Sequence, residues 1–255
     1  MVISCQRSVS RFQSIPDRVG RRRRRSAYSP AASASTAGRS PRLATLRHEN
    51  KGGGCRRIGV GGEGGAGGEL AGRGAEVPLS LQVKVEQNRF TDEVARIKAS
   101  GADAIYYAGY EVECPYLRAD LRDAGLGGLT FMASDGCFLA ATIDNSDGAA
   151  EGMYVTGFAP SPKTAVDQAW TQAYQAVEYR NPDTYSVNGY SAMEVLVEGV
   201  KKAGSLSAPE IADAIRGLDV TTSLGKVQFQ DNGDLREARI YIFQVKGGEF
   251  VQVSP

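Results

Sequence analysis

The stretch that decides the fold is residues 104–136, AIYYAGYEVECPYLRADLRDAGLGGLTFMASDG. Its apolar segments Ala104–Ala108 and Thr130–Ala133 are short and bounded by glycine or polar residues, which is typical of buried strands. The sequence between them has helical periodicity, with Pro115 suited to the first turn and Gly125 to the stop. Two strands joined by one helix form a parallel βαβ unit, so the sequence predicts an α/β fold.

Polar side chains follow both strands of this unit. Tyr110 comes directly after Gly109 at the end of the first strand, and Ser134 and Asp135 come directly after the second. Ligands of open α/β sheets bind beyond the carboxyl ends of the strands, so Tyr110, Ser134 and Asp135 are the candidate binding residues. Taken alone, a Ser-Asp-Gly turn and a strand-end tyrosine are also common structural features.

Charge is segregated along the 255-residue chain. Residues 1–80 carry a net charge of +10 and the remainder −9, which together give the overall +1. Only Phe12 and Tyr28 among the aromatic residues precede residue 80. The acidic and aromatic part after residue 80 therefore has the composition of a folded α/β protein, with room for one large or two small domains.

The amino-terminal residues 1–77 are rich in Arg, Ser and Gly and have no hydrophobic period, so they are predicted to be disordered. The run Arg21–Arg25 is interpreted as a solvated basic tail, because no aromatic or folded basic surface accompanies it. Nucleic acid is therefore not an expected partner. A shifted reading frame or an altered start would produce the same abrupt change in composition.

Motifs for catalysis and cofactors are weak throughout. Gly59–Gly64 satisfies G-x-G-x-x-G, but it lies in a glycine tract without the flanking strand and helix that a dinucleotide loop needs. The single histidine, His48, has Glu49 and Cys55 nearby but no metal-ligand spacing. The chain is therefore not predicted to be an enzyme, and no cofactor or metal is expected.

The remaining chain supplies further elements. Leu79 to Val85 alternate with polar residues as in a strand at a sheet edge. Two helices are predicted at about residues 164–179 and 187–203, each with an apolar stripe that is typical of core packing. Two strands around a Gly-Gly turn, Gly247–Gly248, end the chain as a hairpin.

Five phrases in this order resemble the carboxyl-terminal half of the leucine/isoleucine/valine-binding protein family, the substrate-binding proteins of branched-chain amino-acid ABC transporters. They are FTDEVARIKASGADAIYYAGY, LRDAGLGGLTFMASDG, AEGMYVTG, GYSAMEVLVEGVKKAG and KVQFQDNGDLREARIYIFQVKGG. The resemblance covers residues 78–255 and implies a type I periplasmic-binding fold, in which two α/β lobes close on a ligand. By this resemblance the fold is incomplete here.

The resemblance also implies a division into lobes. Residues 78–157 would form the second lobe with the ligand rim, residues 158–237 a partial first lobe of helices, and residues 238–255 a hairpin that returns to the second lobe. The sheet that the helix at 164–179 would face lies upstream in the family. An exposed apolar patch is therefore expected on its stripe of Val166, Trp170, Tyr174 and Val177.

By resemblance, Tyr110 and Asp135 occupy the family's ligand-binding positions, and Asp135 receives the α-ammonium group of an amino acid. The family's leucine binders typically carry Glu at that position. A buried ammonium group needs a carboxylate partner, which agrees with this role. The chain is thus expected to be an amino-acid-binding protein that serves an ABC permease, in a truncated copy that binds weakly or not at all by itself.

Two alternatives stay open at this stage. The same fold also suits a ligand-sensing domain for amides, urea or aromatic acids. Cys114 and Cys137 follow consecutive parallel strands, so they could form a disulfide or remain two buried thiols. The resemblance implies a periplasmic or extracellular location, although this chain shows neither a signal peptide nor a run of about 18 apolar residues that could span a membrane.

Overall fold

The computed structural model describes residues 40–48 and 72–254. The described strands are β1 Arg42–His48, β2 Glu76–Val83, β3 Ala104–Ala108, β4 Thr130–Ala133, β5 Tyr154–Gly157, β6 Asp219–Thr222, β7 Gly225–Gln228, β8 Tyr241–Lys246 and β9 Glu249–Ser254. The described helices are α1 Thr91–Ser100, α2 Cys114–Asp123, α3 Ala140–Asp144, α4 Pro162–Ala165, α5 Gln168–Glu178, α6 Ser186–Ala203 and α7 Ala208–Arg216, and a 3-10 turn covers Asp135–Cys137.

Seven strands form the main sheet in the order β2-β1-β3-β4-β5-β8-β9. The first five are parallel, and the terminal hairpin adds β8 antiparallel to β5 and β9 antiparallel to β8. β3 and β4 lie side by side with α2 as their crossover, which is the βαβ unit that the sequence predicts. The α/β fold with a largely parallel sheet is therefore confirmed, and β2 lies at a sheet edge as expected.

One sequence prediction is wrong in part. Disorder was predicted for residues 1–77, but Arg42–His48 forms β1 between β2 and β3, and Glu76 already begins β2. Ala44 and Leu46, which share one face of this strand, are fully buried there as part of the hydrophobic core. The rest of that segment, including Arg21–Arg25 and Gly59–Gly64, lies outside the described residues.

The main core is formed by apolar side chains of the sheet and of the helices that pack against it. α2 contributes its apolar stripe, which contains the fully buried Leu117 and Leu121, and β3 contributes Ile105 and Tyr107. Burying one such leucine contributes about 1.5–3 kcal/mol, so the βαβ unit is fixed mainly by this packing. Its carboxyl-terminal strand ends are thereby held in place.

The second group of elements comprises α5, α6, α7 and the β6–β7 ribbon. α5 begins at Gln168 rather than near residue 164, because the Asp167 side chain caps it by accepting from the Trp170 N–H at 2.8 Å. The Trp170 ring stacks on Tyr174 and meets Tyr190 of α6 edge to face, both at 5.4 Å between ring centroids. Aromatic contacts therefore join α5 to α6.

Much of the apolar surface of α5 and α6 is nevertheless exposed. Val177 is 72% exposed and Met193 is 56% exposed, and α5 has no buried residue. This agrees with the exposed apolar patch expected from the sequence. The division into lobes at residues 157 and 237 stays a prediction. None of the helices within residues 72–254 combines the length and hydropathy that a bilayer crossing requires.

Candidate functional site

The three predicted binding residues lie at the carboxyl-terminal end of the sheet, in the loops that follow β3 and β4. β3 and β4 pair in register from Ala104 with Thr130 to Tyr107 with Ala133, so the two strands end level with each other. Tyr110 follows β3, and Ser134 and Asp135 follow β4. The structure therefore brings the loops that carry them together, as the parallel βαβ unit requires.

Ser134 joins the two loops. Its N–H donates to the Tyr107 carbonyl at 2.9 Å, and its hydroxyl donates to the Gly109 carbonyl at 3.2 Å. In this arrangement the side chain holds the loop after β4 against the loop after β3. Ser134 thus positions Asp135 in the structure, and direct contact between its hydroxyl and a ligand stays a prediction.

Two glycines allow this close approach. A Cβ atom on Gly136 would lie 2.2 Å from the Gly109 carbonyl oxygen and 3.1 Å from the Tyr110 ring, and one on Gly109 would lie 2.1 Å from the Tyr107 ring. The separations of 2.1 and 2.2 Å are too short for any larger residue unless the Gly109 backbone or the Tyr107 ring shifts. Gly136 therefore lets the Tyr110 ring pack beside the turn that carries Asp135.

Asp135 is partly buried in the 3-10 turn. Burial raises the pKa of its carboxyl group, while its own backbone N–H and the nearby Tyr185 hydroxyl act in the opposite direction. None of the ion pairs between described residues includes Asp135. The site thus holds a carboxylate whose charge is only partly compensated.

Tyr185 is a site residue that the sequence did not reveal. It lies just before α6, and its hydroxyl donates to the backbone carbonyl of Asp135 at 2.8 Å. Burial, followed by the charge of Asp135 and hydrogen bonding to it, raises the pKa of the Tyr185 hydroxyl, and Glu111 adds a smaller electrostatic contribution. Tyr185 therefore remains a neutral hydrogen-bond donor at neutral pH.

A second phenol, that of Tyr106 in β3, lies near enough to Asp135 to be affected by its charge. The pKa of Tyr106 in β3 is raised by burial and, to a smaller extent, by the negative charge of Asp135. Tyr110, on the adjacent loop, is 55% exposed. Phenols from β3 and from the start of α6 thus surround one carboxylate, with a third on the neighbouring loop. This arrangement can pair with a cationic group and donate hydrogen bonds to a polar one.

Cys114 and Cys137 lie at the same edge, and both are buried free thiols in this structure. Cys114 is the first residue of α2, and Cys137 ends the 3-10 turn that begins at Asp135. They therefore flank the loops that carry Tyr110 and Asp135.

The family assignment agrees with this geometry. Residues 58–249 match the family model described as periplasmic binding protein, and the chain belongs to that family. A leucine-, isoleucine-, valine-, threonine- and alanine-binding protein of Pseudomonas aeruginosa is 27% identical over 174 residues, which cover 67% of this chain and 46% of the relative. The predicted resemblance to the Leu/Ile/Val-binding proteins is thus confirmed.

Solved structures show the same fold. The leucine-binding protein LivK of Thermotoga maritima superposes with a TM-score of 0.68 at 20% identity, covering 84% of this chain and 60% of that one. A solute-binding protein of R. palustris in complex with benzoate gives 0.66 at 18% identity, covering 84% and 58%. The fold is therefore the type I periplasmic-binding fold, and the chain spans about half the length of the curated relatives it matches.

Proposed function

We propose that this chain is a solute-binding protein for a small amino acid, with branched-chain amino acids as the first candidates. The observation that supports this proposal is Asp135, a partly buried carboxylate at the ligand-binding edge whose charge no described ion pair neutralises. A buried ammonium group needs such a partner, because an unpaired charge is costly to bury. The names of the Leu/Ile/Val-binding relatives favour the same ligand class.

Each site residue has a role in this proposal. Asp135 accepts hydrogen bonds from the ligand's ammonium group, and Tyr185 keeps the Asp135 turn in place through its 2.8 Å hydrogen bond. Ser134 and Gly136 hold the two loops close enough for Tyr110 to contact the same ligand. An approaching ammonium group favours the ionised carboxylate, so ligand binding lowers the pKa of Asp135.

The described residues form one side of such a site, and we infer weak binding by this polypeptide alone. A zwitterion also has a carboxylate and a side chain, and affinity depends on enclosing all three parts in a preorganised pocket. Dissociation constants on the order of 1 mM are expected for leucine, isoleucine and valine, which corresponds to about 4 kcal/mol. Micromolar affinity in a calorimetric titration would contradict this inference.

The role of Asp135 is tested by Asp135→Asn together with an amine-free ligand. Wild-type protein should bind leucine but not 4-methylpentanoate, the same carbon skeleton without the amine, in ligand-observed NMR titrations. The substitution should weaken leucine binding about tenfold or more, because a hydrogen bond to a charged group contributes about 1.5–3 kcal/mol. Asp231→Asn, at an exposed turn residue, is the matched control.

Unchanged leucine binding by Asp135→Asn would contradict the proposed site. Equal binding of leucine and 4-methylpentanoate by the wild-type protein would also contradict it, since the ammonium group would then contribute nothing.

A second candidate is a domain of the same fold that senses amides, urea or aromatic acids. The similarity to a solute-binding protein in complex with benzoate favours it, as do the phenols at the edge of the sheet. Benzoate is an anion, so Asp135 should oppose its binding, and Asp135→Asn should then strengthen it. Benzoate binding that increases in the variant, with no response to leucine, would support this candidate over the first.

The proposed partner is the permease of an ABC transporter, and the proposed location is outside the cytoplasm. Both follow from the family to which the chain belongs. In such a system ligand binding favours a closed form only to the extent that the ligand binds that form more tightly. Fractionation of cells that express the chain from its native locus tests the location, and recovery with the cytosolic fraction would contradict it.

A further inference from the structure

We propose that Cys114 and Cys137 form an intramolecular disulfide that covalently joins the two loops of the site. Both residues contact the same backbone oxygen: the Cys114 N–H donates to the Tyr110 carbonyl at 3.1 Å, and the Cys137 thiol donates to it at 3.8 Å. The Cys137 sulfur also lies 3.9 Å from the Gly109 carbonyl oxygen. The Cys137 sulfur therefore lies against the turn from which α2 begins at Cys114.

The surroundings of the two sulfur atoms support this pairing. Both cysteines are completely buried, and the Cys114 thiol is close enough to contribute to the raised pKa of the Cys137 thiol. The cysteines follow consecutive parallel strands whose ends are level, so a bridge would link segments that the sheet already holds side by side.

Burial determines when the bond can form. Desolvation, followed by the Cys114 thiol, raises the pKa of the Cys137 thiol well above its ordinary value, so in the folded protein this group stays protonated and unreactive. Oxidation therefore takes place during folding, before the site closes over the sulfur atoms. The completed bond is then shielded from reductants by the same burial.

The oxidant is a low-molecular-weight disulfide such as oxidised glutathione. One cysteine thiolate attacks a sulfur atom of the oxidant, the oxidant's S–S bond breaks, and one glutathione thiolate leaves. The second cysteine thiolate then attacks the mixed disulfide, the Cys114–Cys137 bond forms, and the second glutathione leaves. The two protein thiols lose two protons and two electrons, and one glutathione disulfide becomes two glutathione thiols.

The bond has a consequence for ligand binding that rests on the proposed function. Asp135 lies two residues before Cys137, and Tyr110 lies four residues before Cys114. A covalent link between the cysteines would limit the relative movement of the loops that carry these two side chains. Preorganised sites lose less conformational freedom on binding, so the oxidised form should bind leucine more tightly, by about two- to tenfold.

The link itself is tested without any ligand. The full chain with Cys5→Ser and Cys55→Ser is unfolded, reduced and refolded with oxidised and reduced glutathione, then alkylated under denaturing conditions without reductant. Trypsin cuts after Arg118 and Arg122, so the two cysteines fall in different peptides. The expected product is a linked pair of peptides that is lighter by two hydrogen atoms than the two separate thiol peptides.

A stability measurement accompanies the mapping. The oxidised form should unfold at a temperature about 5–10 °C above the reduced form, because the bond restricts the unfolded chain. Cys137→Ser in the same background should show no dependence on redox state, and Cys114→Ala serves if that variant does not fold. Free alkylated thiols at both positions after oxidative refolding, or links only between molecules, would overturn the proposal.

Leucine titrations of the two forms separate the link from its consequence. Tighter binding by the oxidised form would support the effect on the site. Equal affinity, with the link present, would overturn that effect while leaving the disulfide established. Absence of leucine binding by both forms, with the link present, would count against the proposed function and not against the disulfide.

Discussion

At the residue scale, the protonation state of Asp135 should affect both the stability of the protein and the proposed ligand binding. Its carboxyl pKa is raised in the folded protein, mainly by burial, so the folded state favours the neutral form. A raised pKa contributes stability below the pKa of the unfolded chain, about 3.9, and that contribution is lost as the pH rises through the folded pKa. At neutral pH the ionised side chain is therefore a cost to the unliganded protein.

Asp135→Asn should accordingly unfold at a slightly higher temperature than wild type at pH 7, and the difference should disappear near pH 3. Thermal unfolding followed by circular dichroism across this range measures it, with Asp231→Asn as the exposed control. Leucine binding by the wild-type protein should become weaker as the pH falls, because the proposed contact with the ammonium group requires the ionised carboxylate. A variant less stable than wild type at pH 7 would mean that a partner already stabilises the charge.

The sequence revealed part of this site. Tyr110 and Asp135 could be found because each directly follows a strand of one local βαβ unit, and the register of parallel strands brings such positions together. Tyr185 could not, because its contact with Asp135 spans 50 residues along the chain. No local pattern distinguishes a tyrosine that precedes a helix and reaches a distant loop from one that faces solvent.

At the element scale, β1 is a strand within a segment whose composition predicts disorder, and its contribution to stability can be measured. Leu46 is fully buried between β2 and β3, so Leu46→Ala should lower the free energy of unfolding by about 2–5 kcal/mol. Leu206→Ala is the matched control, since Leu206 is 87% exposed and its loss should change stability by less than about 0.5 kcal/mol. Urea unfolding compares the two, and equal small effects would contradict the placement of β1.

The elements that the sequence predicted well are those with local signals. β3, α2 and β4 have apolar periods, a proline at the helix start and Gly125 at a left-handed position with φ +78° after the helix. β1 has seven residues, two of them arginines, within a segment rich in Arg and Gly. Its strand structure depends on pairing with β2 and β3 on both sides, which composition averaged over 77 residues does not show.

At the scale of the whole molecule, the exposed apolar face of α6 is the feature that most departs from a self-contained fold. Met193 and Val197 lie one helical turn apart and are 56% and 45% exposed. The chain spans about half the length of its curated relatives, and an exposed apolar face of this kind agrees with the weak binding inferred above. Exposed apolar patches promote association between molecules.

Replacing this face should therefore change association and leave folding intact. Met193→Glu with Val197→Glu is expected to lower the binding of the dye ANS and to reduce concentration-dependent association in sedimentation velocity. The free energy of unfolding should change by less than about 1 kcal/mol, because neither side chain is buried. Val245→Glu, at a fully buried position of β8, is the contrasting variant and should unfold the protein. A loss of several kcal/mol in the free energy of unfolding of the α6 variant would contradict this prediction, because it would show that Met193 and Val197 are packed in solution.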